Sequence, residues 1–274
     1  MSSENRQSNV LAWSLLVVLG GGLLTVLLSY SPPVDISVEG HRIDEAFGYT
    51  TRLITIYFAI VLFVMGYCLV RFRARPGHSA EYIEGNQPRH LLMTGALAAS
   101  VFMLIDMRLI ATSAHDASEI FWKFPTGKDV VKIQVLGQQF EWHFRYAGPD
   151  AKFNTADDVE TTALLHVPKG KPVLMQLRSK DVIHSLFLPN VRLKQDAIPG
   201  RQTQLWFQAK VPGDYELACA ELCGLGHYKM RGQFIVDEPA DFDAWIAAQS
   251  KDAEEEYDAD DKSANWGWDW EARN

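Results

Sequence analysis

"VVKIQVL", residues 130–136, changes the rhythm of this chain. Val131, Ile133 and Val135 fall on one face of an extended backbone, Lys132 and Gln134 on the other. That alternation predicts a strand with one buried side. Similar short runs follow: "QFEWHFRY" (139–146), "TALLHV" (162–167), "VLMQLR" (173–178), "SLFL" (185–188), "TQLWFQA" (203–209), "YELACA" (215–220) and "RGQFIV" (231–236). Pro168-Lys169-Gly170, Ile198-Pro199-Gly200 and Val211-Pro212-Gly213-Asp214 punctuate them as turns. Many short strands at close spacing predict an antiparallel sandwich or barrel.

Upstream of that change the chain is of another kind. Val10–Tyr30 carries no charge and matches the roughly 20 apolar residues that cross a bilayer. Leu53–Val70 is a second such run and His90–Ile110 a weaker third, with Asp106 and Arg108 near its end. "RFRAR" (71–75) after the second run predicts a cytoplasmic loop. Asp35, Glu39, Asp44 and Glu45 against Arg42 suit the outside, so everything past about residue 112 is expected outside. The first run reads as a retained helix or as a cleaved signal peptide. The expected organisation is residues 1–50 as hydrophobic helix and outer loop, 51–112 as a transmembrane hairpin, 113–240 as the strand-rich domain and 241–274 as a short helix with an acidic tail.

Net charge is −8. Residues 113–274 carry 18 Lys+Arg against 26 Asp+Glu, so the whole surplus lies there. A basic nucleic-acid footprint is absent. "GPDAKFNTADDVET" (148–161) holds Asp150, Asp157 and Asp158, but its spacing does not fit an EF-hand loop and it reads as a polar hairpin excursion. "DFDAWIAAQ" (241–249) reads as a short helix. The acidic remainder reads as a solvated, mobile tail whose tryptophans offer a dock for a neighbouring subunit.

The chemistry concentrates in "CAELCGLGHYKM" (219–230). Two thiols, an imidazole and a thioether share one glycine-bearing loop. Cys219 and Cys223 are open to three ordinary readings: a disulfide, a zinc pair or core cysteines. A disulfide leaves His227 and Met230 unexplained, and zinc rarely recruits methionine. Thiolate, imidazole and a weak methionine form the ligand set of copper electron-transfer sites. Two cysteines can bridge two coppers, and each copper then needs an imidazole. His184 in "DVIHSLFLPN" is the best second candidate; His143 and His166 read as surface or core residues.

With these residues the sequence resembles subunit II of the haem–copper cytochrome c oxidases over roughly residues 50–240. The family pattern Cys-x-Glu-x-Cys-x-x-x-His-x-x-Met coincides with Cys219, Glu221, Cys223, His227 and Met230. "DVIHS" and "KQDAIPGR" add Asp181, His184, Asp196 and Arg201. The resemblance implies a membrane-anchored chain, with three helices or two after signal cleavage, followed by a cupredoxin-like Greek-key β-barrel. It implies a dinuclear copper centre (CuA) with Cys219 and Cys223 bridging, His184 and His227 on one copper each, and Met230 and the Glu221 carbonyl as weak axial ligands. The Glu221 carboxylate would face a Mg2+ at the boundary with catalytic subunit I, with Asp196 and Arg201 helping to hold that boundary. Haem would lie in the partner subunit alone, and the donor would be a separate cytochrome c-type protein. The setting would be the bacterial cytoplasmic membrane, among lipid and other oxidase subunits, with the copper domain on the outer side.

Two departures stand out. Electrons in this family usually come in at the first tryptophan of Gln-Trp-x-Trp, but here Gln139, Phe140, Glu141 and Trp142 occupy the run, leaving Phe140 and Trp142 as candidates. Near Gly-Asn, where the family tends to carry a glutamate at the mouth of a proton path, "GNQPRHLL" places His90. Histidine can relay protons, and it is also an ordinary interfacial residue. A membrane-anchored copper-delivery protein without an oxidase partner is the alternative of another class. Such a site would be exposed and would release its metal.

Overall fold

The computed structural model describes residues 3–29, 31–72, 77–79, 81–257 and 260. Most of the acidic tail, with its tryptophans, and most of "RFRAR" fall outside the described residues. The chain forms two compact units, residues 1–32 with 44–115, and 33–43 with 116–274.

The first unit is helical: α1 (Ser3–Ser29), most of α2 (Gly40–Arg71), α3 (Pro88–Val101) and α4 (Met107–Asp116). Helices α3 and α4 belong to one continuous helix, Pro88–Phe121, with π-helical turns at Phe102–Asp106 and Ala117–Phe121. Gly40–Arg71 and Pro88–Phe121 are long and apolar enough to cross a membrane, whereas the apolar part of α1, Asn9–Thr25, is shorter. Tyr57 Oη donates to Ser100 Oγ at 3.0 Å and Tyr49 Oη to the Leu104 carbonyl at 2.6 Å, joining the two long helices. Phe63 and Leu92 stand exposed, as befits surfaces that meet lipid or other subunits. The start of α2 is fixed by a short relay. Asp35 Oδ1 accepts from Ser37 N–H and Oγ, and Ser37 Oγ accepts from Gly40 N–H. That satisfies an amide the helix leaves without a partner.

The second unit is a β-sandwich of two five-stranded sheets. One has the order β3-β2-β1-β5-β8, the other β4-β10-β9-β6-β7. The strands are β1 Val131–Gln138, β2 Glu141–Tyr146, β3 Val159–Thr162, β4 Leu164–Pro168, β5 Pro172–Ser179, β6 His184–Leu188, β7 Leu193–Ala197, β8 Thr203–Gln208, β9 Gly213–Cys219 and β10 Arg231–Asp237. Ile133, Val135, Phe144, Met175, Leu186, Leu217 and Phe234 meet inside at 0% exposure, the cupredoxin-like arrangement that the resemblance implies.

Two details differ from the sequence reading. The pairings β1–β5 and β10–β4 are parallel, not antiparallel. These strands are far apart in sequence and meet through crossover connections, which alternation within one strand cannot reveal. Gln134, expected to face solvent, is buried. Strand β1 is central, and cross-strand neighbours Arg145 and Gln176 flank Gln134 on both sides.

Residues 33–38 lie against the sandwich. Ile36 is wholly buried, its N–H donates to Asn190 O, and its carbonyl accepts from Lys210 N–H. Lys210 Nζ also pairs with Asp35 Oδ2 at 3.0 Å. Helix α5 (Pro239–Glu256) is longer than the short helix read from 241–249. It docks through Phe242 and Trp245, whose ring stacks on His166 at 4.2 Å. Asp157 and Asp158 are buried and occupied within the fold. Asp157 Oδ2 accepts from Asp150 N–H, Asp158 Oδ2 accepts from Asn154 N–H, and Arg145 Nε lies 2.8 Å from Asp158 Oδ2.

Candidate metal centre

Strand β9 ends at Cys219, and the loop to β10 is pinned where it leaves and where it returns. Cys219 N–H donates to Met230 O, and Ala220 N–H to Ser185 O. The second bond ties the loop to β6, which begins at His184, and the β6–β9 register places Leu186 opposite Cys219. Inside the loop Gly224 takes φ +131°, a backbone shape that side chains rarely allow. A short 3-10 turn, His227–Lys229, then turns the imidazole of His227 back toward the sulfurs.

The donor atoms converge. Cys219 Sγ and Cys223 Sγ are 3.9 Å apart, and both cysteines are free and buried. A disulfide requires about 2.05 Å, so these sulfurs are not crosslinked. His184 Nδ1 is 4.0 Å from Cys219 Sγ, and His227 Nδ1 is 3.5 Å from Cys223 Sγ. Met230 Sδ is 3.8 Å from Cys223 Sγ, and the Glu221 carbonyl oxygen is 3.2 Å from Cys219 Sγ. The ligand atoms of His184, Cys219 and Cys223 all lie within 4.8 Å of one another. Metal–thiolate bonds near 2.3 Å let one ion span two sulfurs at this separation. Six donors, two of them the central sulfurs, exceed the four that a structural zinc takes. They suit two soft ions sharing the thiolates, one imidazole to each.

The surroundings orient the ligands. His184 is wholly buried, and its Nε2–H donates to Asp181 Oδ1 at 2.8 Å. That bond sets the tautomer and leaves Nδ1 for a metal. Burial opposes ionisation of Asp181, but the N–H groups of Gln139, His184 and Val182 hold its carboxyl below the usual range. Burial also raises the Cys219 thiol, yet contacts with His184 and with the backbone at Ser185 and Glu221 bring it down to about 6. Cys223 goes the other way, to about 11, because it is buried beside Cys219. Cys219 therefore gives up its proton more readily than Cys223, and a bound cation would displace the protons of both.

The remaining candidates fall into separate places. Trp142 is wholly buried and edge-on to His184, with ring centres 5.8 Å apart. Phe140 lies at the surface over the ligand loop, where a methyl group at Gly226 would sit 2.4 Å from its ring. Asp196 accepts from Ser185 Oγ at 2.6 Å, beside His184 in the chain, and this bond outweighs burial in lowering its pKa. Arg201 and the Glu221 side chain are exposed. His90 belongs to the helical unit, at the start of α3, and its buried Nδ1 has no hydrogen-bond partner among the described residues. His166 pairs with Asp237 at 2.8 Å and His143 sits beside Glu141 at 3.1 Å, both away from the sulfurs. Gln139 was legible only as part of the "QFEW" run, yet it touches both ligand segments. Its N–H donates to Asp181 Oδ2 at 2.7 Å and its side-chain amide to Cys223 O at 2.6 Å.

The chain is similar to known proteins. Residues 131–237 match the family described as cytochrome c oxidase subunit II, periplasmic domain. A cytochrome c oxidase subunit 2 from Synechocystis is 30% identical over 284 residues, covering 86% of this chain and 83% of that protein. An alternative cytochrome c oxidase subunit 2 from Bradyrhizobium diazoefficiens is 29% identical, over 86% of this chain and 90% of its own length. The crystal structure of the periplasmic domain of subunit II of cytochrome oxidase (CoxB) from Bradyrhizobium japonicum covers 47% of this chain and 99% of that chain, at 30% identity and a TM-score of 0.41. With two membrane-length helices, the β-sandwich and the clustered Cys, His and Met side chains in one polypeptide, the chain belongs to the cytochrome c oxidase subunit 2 family.

Proposed function

We propose that this chain is the electron-accepting subunit of a respiratory haem–copper oxidase, holding a dinuclear copper centre outside the membrane. The observation that carries the reading is the pair of free sulfurs 3.9 Å apart, each with its own imidazole Nδ1. Cys219 and Cys223 would bridge, His184 and His227 would each complete one copper, and Met230 and the Glu221 carbonyl would sit at longer range. Such a centre, when bound, supplies a one-electron carrier whose bonds change little between oxidation states. The chain's own task is rigidity. The loop is pinned to β6 and β10, Asp181 fixes the ring of His184, and Trp142 packs against its edge. These contacts keep the donors in place whether or not an electron is present.

Three finer assignments belong to the same proposal. Phe140, exposed over the loop, and Trp142, buried behind it, mark where electrons arrive from a cytochrome c-type donor. The exposed Glu221 carboxylate faces a Mg2+ shared with catalytic subunit I, where haem and oxygen reduction reside, and Asp196 and Arg201 support that boundary. His90, with its unpartnered ring nitrogen, serves proton uptake. A copper-delivery role fits poorly, because His184, Met230 and both sulfurs are buried.

The charge of the outer part is unevenly placed. Residues 113–240 in fact balance at 15 Lys+Arg and 15 Asp+Glu, leaving 3 against 11 beyond residue 240, a difference of −8. The negative charge therefore belongs to α5 and the tail, and the β-sandwich offers a donor little long-range attraction.

Purified complex should contain two coppers in this subunit, with a paramagnetic resonance spectrum of one electron spread over two nuclei. A single labile copper, or zinc, would sink the proposal. Met230→Leu should keep that spectrum and shift the potential, with turnover lowered by less than about tenfold, because an axial thioether binds weakly. Redox titration of the variant complex checks this.

A further inference from the structure

We infer that Gln139 is a positioning residue for the copper ligands, splinting the His184 segment to the Cys223–His227 loop. This rests on the copper assignment above and goes beyond it, because Gln139 donates no metal ligand.

The ligands come from two pieces of chain. His184 opens β6, whereas Cys223 and His227 lie in the loop after β9. On one side these pieces are joined directly, by Ala220 N–H to Ser185 O. On the other side the β1–β2 turn reaches across. Gln139 N–H holds Asp181 Oδ2 at 2.7 Å, and Asp181 Oδ1 holds His184 Nε2 at 2.8 Å. The Gln139 amide holds Cys223 O at 2.6 Å. Three hydrogen bonds thus run from one imidazole to the backbone of a bridging cysteine. The turn is itself anchored, because Lys180 N–H donates to Gly137 O at 3.0 Å.

Space is reserved for this contact. A methyl group at Gly224 would lie 3.0 Å from Gln139 Nε2, and one at Gly226 would strike the neighbouring Phe140 ring. A glutamine at an exposed turn loses side-chain freedom when pinned, so a bond spanning 84 residues marks a constraint on the loop. Without the amide, the Cys223 carbonyl loses its donor and the loop gains freedom to open.

The test uses the intact oxidase complex. Gln139→Met keeps the length and apolar stem but removes the donor. Partners that orient metal ligands are typically worth about 10–100-fold in metal affinity. Copper loss to a bicinchoninate chelator is therefore expected to be at least about tenfold faster, with altered copper hyperfine structure and unchanged haem content. Gln139→Lys keeps an N–H donor of similar reach and should restore slow loss. Gln138→Met is the control: its amide meets Glu141 and His143 on the same turn, so wild-type retention is expected.

Wild-type copper retention and spectrum in Gln139→Met overturn the inference while leaving the copper assignment intact. Equal fast loss in the Met and Lys variants also overturns it, by showing that any change at the turn suffices. Absence of a dinuclear signal from the wild-type complex sinks both proposals. Should Gln139→Met fail to assemble, the Gln139→Lys and Gln138→Met comparison decides: the inference stands if both keep copper as the wild type does, and falls if Gln139→Lys loses it fast.

Discussion

Cys219→Ser is expected to leave a folded subunit that has lost its dinuclear spectrum and at least about 100-fold of its turnover. Serine has nearly the shape of cysteine, so the buried end of β9 keeps its packing and its N–H bond to Met230 O. What disappears is the thiolate. Against the effect of burial, contact with His184 and the nearby backbone draws the Cys219 thiol toward ionisation, whereas a serine hydroxyl stays protonated at any physiological pH and is a poor ligand for a soft metal. Cys219 Sγ is also the atom that faces Cys223, His184 and the Glu221 carbonyl together. Removing it separates the two halves of the ligand set and leaves donors for one metal at most. Loss of a partner that merely orients a ligand costs up to about 100-fold, and loss of a ligand shared by both halves of the set costs at least as much. Copper analysis, paramagnetic resonance and cytochrome oxidation on the same preparation check it. Full turnover by this variant would rule out electron transfer through these sulfurs.

The second large effect lies away from the metal. Arg145→Met is expected to destabilise the subunit by about 3–5 kcal/mol at pH 8, the range for breaking a buried ion pair from one side. Arg145 and Asp158 side chains are 3% and 4% exposed, with Nε 2.8 Å from Oδ2. Arg145 Nη1 also donates to Asn154 Oδ1 at 3.1 Å, holding the 148–158 excursion onto β2. Methionine fills the space and strands the carboxylate beside Asp157. For a unit of this size the thermal midpoint should fall by roughly 6–20 °C.

The pH dependence has a definite sign. Burial already pushes Asp158 up to about 6, against the pull of Arg145. A carboxyl raised in the folded state contributes stability that is fully present below its unfolded value near 3.8 and lost as pH rises through about 6. Without Arg145 the folded value climbs further, so the deficit against wild type should shrink between pH 8 and pH 5. Arg145→Met combined with Asp158→Leu should regain most of the loss, since apolar replacement of both partners is often neutral. Thermal unfolding followed at both pH values tests the set. An unchanged midpoint for the single variant at pH 8 would show that the pair contributes nothing.

These two sites were legible to different degrees. Cys219, Cys223, His227 and Met230 stand within twelve consecutive residues, so their chemistry could be read directly. Arg145 and Asp158 each looked ordinary, an arginine in a strand and an acid in a polar loop. Their importance arises from burial, which depends on what the rest of the chain packs around them.

By itself the amino-acid sequence determined the membrane-length runs, the existence of the strands and the clustering of the Cys219, Cys223, His227 and Met230 donors in one loop. All of these depend on side-chain type and on spacing over a few residues, and both are local properties. Tertiary structure alone decided which strands run parallel, that residues 33–38 lie on the sandwich, which nitrogen of His184 faces the sulfurs, and that Gln139 ties 181 to 223. Each of these is a contact between residues tens of positions apart. Whether such groups meet depends on how the whole chain buries its apolar surface and finds partners for its backbone, and no short window of sequence contains that.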